Sequence, residues 1–432
     1  MRMKFNKPGQ LLLVSAASLM VASLITACAT LTVDFVFVTS SKAAGPNAYG
    51  EVDVFEINSE SGVMRQIPTS PFPSGGRDPV AEAVSADNTN LYVVNQDDNS
   101  IVQFIIGNDG KLYPQNTTNT AGVYPLAVAV NGTNLFVADT YQPLPTCSTA
   151  APCSGSIAVY PITVGPNTPP SDSIGSPLAN GSLNYWPLSL PSSPNDVLEP
   201  TAINVLASGK YLYATAYDAT AKANYVFGFS VGSGGALTPL NGGAPLTGGP
   251  FAVGTCASAY FNAPFVLGTC PSAIASATTS STTSYVYVTD QVNGQVYGYS
   301  VASATGLLTP LSGSPFRAGD QPSAIVVDPN PAYPYVYVAN ALDSTVTAYS
   351  MSNGSLTNLG TYASGLQPIA IGIDPSTSHF LFTANYLGEN VSGTVSGFEL
   401  SPTAGTLVNS QNSPYTSNAQ PTAVVAISHG SQ

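Results

Sequence analysis

Charge is what this chain has least of. Only 8% of its 432 residues are Asp, Glu, Lys or Arg, against roughly 25% in an ordinary soluble protein, so Ser, Thr, Asn and Gln must solvate its surface. Ten cations stand against 23 acids, and three of those cations, Arg2, Lys4 and Lys7, precede Cys28 while every acid follows it. The rest of the chain is strongly acidic, which excludes nucleic acid and anionic lipid headgroups as partners. Histidine is nearly absent: His379 and His429 are the only two. The pattern Gly228-Phe-Ser-Val-Gly232 therefore has no placed histidine to make Ser230 a nucleophile, and it lacks the strand-to-helix turn that such a motif needs. No sustained helical period follows Cys28.

What the sequence has instead is a repeat. Prolines at 79, 125, 200, 271, 322, 368 and 421 each precede a short apolar run, and a second run follows: Leu91-Tyr-Val-Val-Asn95, Leu135-Phe-Val-Ala-Asp139, Val286-Tyr-Val-Thr-Asp290, Val336-Tyr-Val-Ala-Asn340. Third and weaker fourth runs complete a unit of four strands separated by Gly, Asn, Asp, Ser and Pro. The seventh copy stops after its first strand, Pro421-Thr-Ala-Val-Val-Ala-Ile427. Strands around Phe35–Thr39, Glu51–Ile57 and Gly62–Ile67 supply the rest. The expectation is an all-β, seven-bladed β-propeller of four-stranded antiparallel blades, closed by a blade that both ends of the chain share.

Residues 1–28 read as a secretory signal: a basic start, an apolar stretch from Leu11 to Ala27, and Ile25-Thr-Ala-Cys28 at its end. This resembles a bacterial lipoprotein lipobox, which implies lipidation of Cys28. With Ala29 after the cysteine, it also implies an extracytoplasmic protein at the outer membrane, held by its lipid alone. Residues 29–432 then form one propeller domain. Cys147 and Cys153 lie in an insertion at about 140–156, Cys256 and Cys270 in another at about 243–270, and a further insertion spans about 165–199. Two local disulfides fit an oxidising compartment, although four cysteines allow three connectivities.

These insertions fall on adjacent blades and on the face where fourth-to-first and second-to-third connections meet. They bring Tyr185, Trp186, Tyr217, Tyr260 and Phe261 to one sector, either as a recognition surface for a small-molecule or protein ligand or as packing for the insertions. Arg77 and Arg317 stand just before strand-opening prolines, either to receive a carboxylate or phosphate or to pair with acids such as Asp78 or Asp320. Glu389 and then Glu199 are the carboxylates best placed for acid–base work. Asn95, Asp139, Asp290, Asn340 and Asn385 end second strands, where Asx side chains serve turns. Calcium is the one ion such oxygens would suit; no metal or other cofactor is otherwise expected.

The phrases Tyr335-Val-Tyr-Val-Ala-Asn340 and Tyr92-Val-Val-Asn95 resemble the repeats of the YVTN-repeat and lactonase-like seven-bladed propellers, a group that includes 6-phosphogluconolactonase-like and carboxymuconate-cyclase-like proteins. In that group an innermost strand begins Pro-Arg-His and a second strand ends Val-Val-Asn-Glu. Here the prolines precede Val80-Ala81, Leu126-Ala127, Thr201-Ala202, Ser272-Ala273, Ser323-Ala324, Ile369-Ala370 and Thr422-Ala423, and Gln96, Ala341 and Tyr386 replace the glutamate. The resemblance implies ligand binding on the funnel face without chemistry, or else a lactone hydrolase using Arg77, Arg317 and Glu389. The secretion signal turns either away from a phosphorylated cytoplasmic sugar.

Overall fold

The computed structural model describes residues 32–41, 49–58, 61–147, 151–163, 173–248, 271–278, 283–330, 332–375, 379–390 and 392–428. Cys28, Cys256, Tyr260, Phe261, Cys270, His429 and the Glu389 side chain lie outside them.

The described chain makes seven antiparallel sheets arranged as blades, each laid down from the centre outwards. The innermost strands are Pro79–Val84 (blade 1), Val123–Asn131 (blade 2), Leu198–Val205 (blade 3), Ala273–Thr278 (blade 4), Pro322–Val327 (blade 5), Pro368–Ile373 (blade 6) and Gln420–Ser428 (blade 7). Each touches the innermost strands of its two neighbours, so the ring is closed. In blade 7, Gln420–Ser428 pairs with Thr32–Ser41, which continues outwards through Glu51–Asn58 and Met64–Gln66.

Why the repeated phrase builds a blade is visible at its ends and at its tyrosines. The Asn or Asp that ends a second strand touches the glycine of a Gly-x-x-Pro loop that leads into the innermost strand. A Cβ on Gly76, Gly122, Gly319 or Gly365 would lie 2.3–2.5 Å from an atom of Asn95, Asp139, Asp343 or Asn385 respectively, and for Gly319 also 2.7 Å from Asn340. The clamp is a hydrogen bond in two cases, from the amide of Gly319 to Asn340 (3.1 Å) and of Gly122 to Asp139 (3.1 Å). This corrects the expectation that every such residue serves the turn it begins. Asp290 does, accepting from Val292 and Asn293 at 3.1 Å, but the others reach back because glycine leaves them room.

The tyrosines are seam residues. Tyr213, Tyr287 and Tyr337 donate to the carbonyls of Gly306, Gly354 and Gly405 in the next blade at 2.8, 2.7 and 3.2 Å. Each of these glycines has a positive φ (70°, 84° and 67°) and lies under the ring of Tyr211, Tyr285 or Tyr335, a place no side chain could share. Seven apolar clusters fill the seven seams, one per pair of neighbouring blades. Each fully buried Val, Leu or Phe there contributes about 1.5–3 kcal/mol.

Blades 4, 6 and 7 break their outer strand in two where Ser-Pro-Phe or Ser-Pro-Tyr occurs. Ser314, Ser413 and Ser70 accept from third-strand amides at 3.0, 3.1 and 2.8 Å, and the following residues rejoin the sheet as Phe316–Arg317, Tyr415–Thr416 and Phe72–Pro73. Blades 1 and 5 lack the motif, and their outer strands run unbroken over Leu112–Asn119 and Ser355–Ala363. The outermost strand of blade 2, Ser173–Ile174, lies inside the segment read from sequence as an insertion at 165–199.

Candidate functional site at the funnel mouth

Innermost strands begin, and second strands end, at one end of the ring, which forms the mouth of the central funnel. In the six blades where it is described, the residue just before the opening proline sits at this mouth: Asp78, Tyr124, Glu199, Gln321, Gln367 and Gln420. In four of them, Asp78, Tyr124, Gln321 and Gln367, φ is positive at 48–56°, a strained conformation for residues with a Cβ. A register shift follows the proline in blades 1, 3, 5 and 6. Directly after the opening proline, Ser272, Ser323 and Thr422 donate to the carbonyls of Pro322, Pro368 and Pro79 in the next blade, forming a hydroxyl belt at the mouth.

Glu199 carries the most distinctive environment. It is 2% exposed, its Oε2 is buried without a protein hydrogen-bond partner, and burial pushes its pKa up to about 7. Tyr217 is its register partner on the next strand. Both Tyr217 and Tyr141 have their phenols raised by burial and then by the Glu199 charge, so both stay protonated. Tyr141 packs edge-on against Tyr124, with ring centroids 6.1 Å apart. The strand that carries Glu199 is buttressed by the stapled loop Cys147–Cys153. Ser154 donates to the Asp196 carbonyl at 2.9 Å and accepts from the Leu198 amide at 3.1 Å, while the Gly155 amide bonds the Leu198 carbonyl at 2.8 Å.

Two further acids stand on blade 1. Asp78 is raised to about 6 by burial and by Asp97, and its charge reaches Tyr386 of blade 6. Glu82 is raised to about 8 by burial, against the opposing bond from the Thr39 hydroxyl, and its Oε1 is covered without a partner. Asp139, in a slot where Asn340 and Asn385 stand elsewhere, is raised to about 8 by burial. Held protonated, it does an asparagine's work.

The residues singled out from sequence are dispersed. Arg77 is tied to Asp98, at 2.7 Å through Nε and 2.6 Å through Nη2, rather than to Asp78. Arg317 is exposed on the flank of blades 4 and 5, where it lines a groove of about 610 Å³ with Asp343, Tyr349 and Asn358. Arg77 belongs to blade 1 and Arg317 to blade 4, across the ring, so the two guanidiniums form no common site. Tyr185 and Trp186 are 3% and 5% exposed and belong to the seams of blade 2 with its neighbours, which makes them packing residues rather than a lid. Of the described members of the aromatic set, Tyr217 joins the Glu199 cluster and Tyr185 and Trp186 do not. Glu82 and Tyr141 went unread in sequence. The signal that could have found Glu199 first is its position, directly before an opening proline. Among the described residues no group of three or more His, Cys, Asp or Glu could hold a metal ion, and no helix is long and apolar enough to cross a membrane.

A family model described as lactonase, seven-bladed β-propeller, matches residues 48–162 and 276–424, together more than half of the chain. No curated protein matches in sequence. Among solved structures, a candidate 6-phosphogluconolactonase from Bacteroides fragilis is similar with a TM-score of 0.62 and 19% identity, covering 92% of this chain and 99% of that one. The periplasmic gluconolactonase of Pseudomonas aeruginosa has a TM-score of 0.61 and 16% identity, covering 91% and 99%. A protein from Lactobacillus plantarum has 0.63 and 15%, covering 92% and 99%. At such identities these likenesses carry the fold alone.

Proposed function

From the premise that this chain belongs to the lactonase, seven-bladed β-propeller family, we propose that it binds a lactone at the funnel mouth and hydrolyses it with Glu199 as the acid–base group. The observation that carries this reading is the Glu199 carboxyl: buried, poised near neutrality, with one oxygen unmet, between two protonated tyrosines. A base with a pKa near the working pH is the one that transfers protons most effectively. Water adds to the lactone carbonyl carbon while the Glu199 carboxylate takes the water's proton, and a tyrosine hydroxyl donates to the oxygen on which charge develops. The ring C–O bond then breaks, and the departing alkoxide recovers the proton from Glu199. One lactone and one water give one hydroxy acid.

Binding without turnover is the second reading, and one observation favours it. Glu199, Tyr141 and Tyr217 are 2%, 1% and 1% exposed, which leaves an attacking water little access. Acid release from a panel of sugar and aromatic lactones, with Glu199→Gln as control, decides between them. Release that the variant loses supports hydrolysis; heat of binding without release supports a binding protein.

The protein works outside the cytoplasm in this proposal, with the signal cleaved just before Cys28 and the chain tethered through lipid on that cysteine. Cys28→Ser is expected to move it from the membrane to the soluble fraction, and an unchanged distribution would reject the tether.

A further inference from the structure

Resting on the reading of the mouth as a lactone site, we infer that it acts as a charge filter: it takes an uncharged, hydroxyl-rich lactone, refuses phosphorylated or carboxylated relatives, and expels its own product. Hydrolysis turns a neutral ring ester into a hydroxy acid, which at neutral pH loses its proton to water and becomes an anion. The site that made it is walled by acids. Asp78 directly precedes the innermost strand of blade 1, Glu82 stands on it and Glu199 on that of blade 3, while Asp97 and Asp196 lie on loops at the same end and Asp218 ends the second strand of blade 3.

Among the described residues of blades 1–3, Lys111 and Lys210 lie in turns at the far end of the ring, which leaves Arg77 and the exposed Lys222 as the cations at the mouth. The Arg77 guanidinium is spent on Asp98 and on the Asp97 carbonyl at 3.2 Å, and Arg317 lies across the ring. The unmet oxygens point to the chemistry that is accepted. Oε2 of Glu199 and Oε1 of Glu82 are buried and lack a protein partner. A buried carboxyl oxygen left so costs free energy until something bonds it. A ligand hydroxyl can do so in either protonation state, donating to a carboxylate or accepting from a carboxylic acid. A phosphate or carboxylate can enter only by holding every nearby carboxyl protonated, and then it finds no positive partner.

The test uses the whole secreted protein and two uncleavable probes, gluconolactam and its 6-phosphate, titrated by calorimetry. The neutral probe is expected to bind at least ten-fold more tightly at low salt, and the ratio is expected to shrink at about 0.5 M salt as the wall is screened. Asp78→Asn is expected to narrow the ratio at low salt. Gluconate is expected to compete at least ten-fold more weakly than the neutral lactam. Equal or tighter binding of the phosphorylated probe, or of gluconate, overturns the filter, as does binding of neither probe. Turnover is scored separately. Selective binding without acid release leaves the filter standing and removes the hydrolase reading, whereas hydrolysis that prefers a phosphorylated lactone does the reverse.

Discussion

Blades 1–3 and blades 5–7 present the same slots to the funnel mouth and fill them differently. Before the opening proline the first group has Asp78, Tyr124 and Glu199, and the second has Gln321, Gln367 and Gln420. At the end of the second strand Asp139 of blade 2 stands where blades 5 and 6 have Asn340 and Asn385. Blades 1, 2, 5 and 6 share their backbone geometry there, with the strained φ before proline and the Gly-x-x-Pro clamp, whereas blades 3 and 7 have neither. An amide satisfies these slots as structure, so the scaffold does not require acids there. Their gathering on one side marks the half of the ring where chemistry is affordable and leaves the other half as frame.

The sharpest way to break this contrast is to make the acidic half look like the amide half. Glu199→Gln is expected to lower lactone turnover by about 10²–10⁴-fold with an unchanged circular dichroism spectrum, while Gln321→Ala changes it less than about two-fold. Equal effects would mean the halves are not distinct. Next in size is a lesion in the frame. Gly354→Val places a side chain at a φ of 84°, with a Cβ 2.5 Å from the Tyr285 ring, and is expected to cost about 2–4 kcal/mol in denaturant unfolding. A loss under 1 kcal/mol would show that the seam yields.

The acidic half also predicts an unusual pH response. Glu82, Asp139 and Glu199, together with Asp34 on the opposite face, have folded-state pKa values raised to about 8, 8, 7 and 8. Between the ordinary carboxyl range and pH 8 the folded chain binds more protons than the unfolded one, so stability falls as pH rises through that window and is fully present below it. Tm should be higher at pH 5 than at pH 8 by on the order of 5 °C, with Glu82→Gln reducing the difference. A Tm that rises from pH 5 to pH 8 contradicts the assignment. Smallest is the hydroxyl belt: Ser323→Ala removes one bond to Pro368 and should cost about 0.5–1.5 kcal/mol, without altering lactone binding.

The frame was largely legible in sequence because it repeats. Seven prolines, the Tyr-Val-Tyr-Val runs and a truncated last copy fix blade number and closure, since each copy reports the same packing problem. The acidic half was only partly legible, because its character comes from burial. Nothing local to Glu199 says that it loses water, or that Tyr141, brought in from another blade, stands beside it. Arg77 and Arg317 attracted attention through scarcity, yet a rare cation in an acidic chain is readily claimed by a neighbour, as Asp98 claims Arg77. The tyrosines of the repeated phrase, read in sequence as strand residues, also bolt one blade to the next.

The closing blade sets a clock on biosynthesis. Thr422 bonds Thr39 across 383 residues of chain, so the strand Thr32–Ser41 has no inner neighbour until that much more chain has been made. At roughly 5–20 residues per second that interval is on the order of 20 s or more. Throughout it Thr32–Ser41 is an open, apolar strand edge, able to pair with any passing strand. For this protein the vulnerable moment belongs to the nascent chain, whose edge needs shielding until the closing strand arrives.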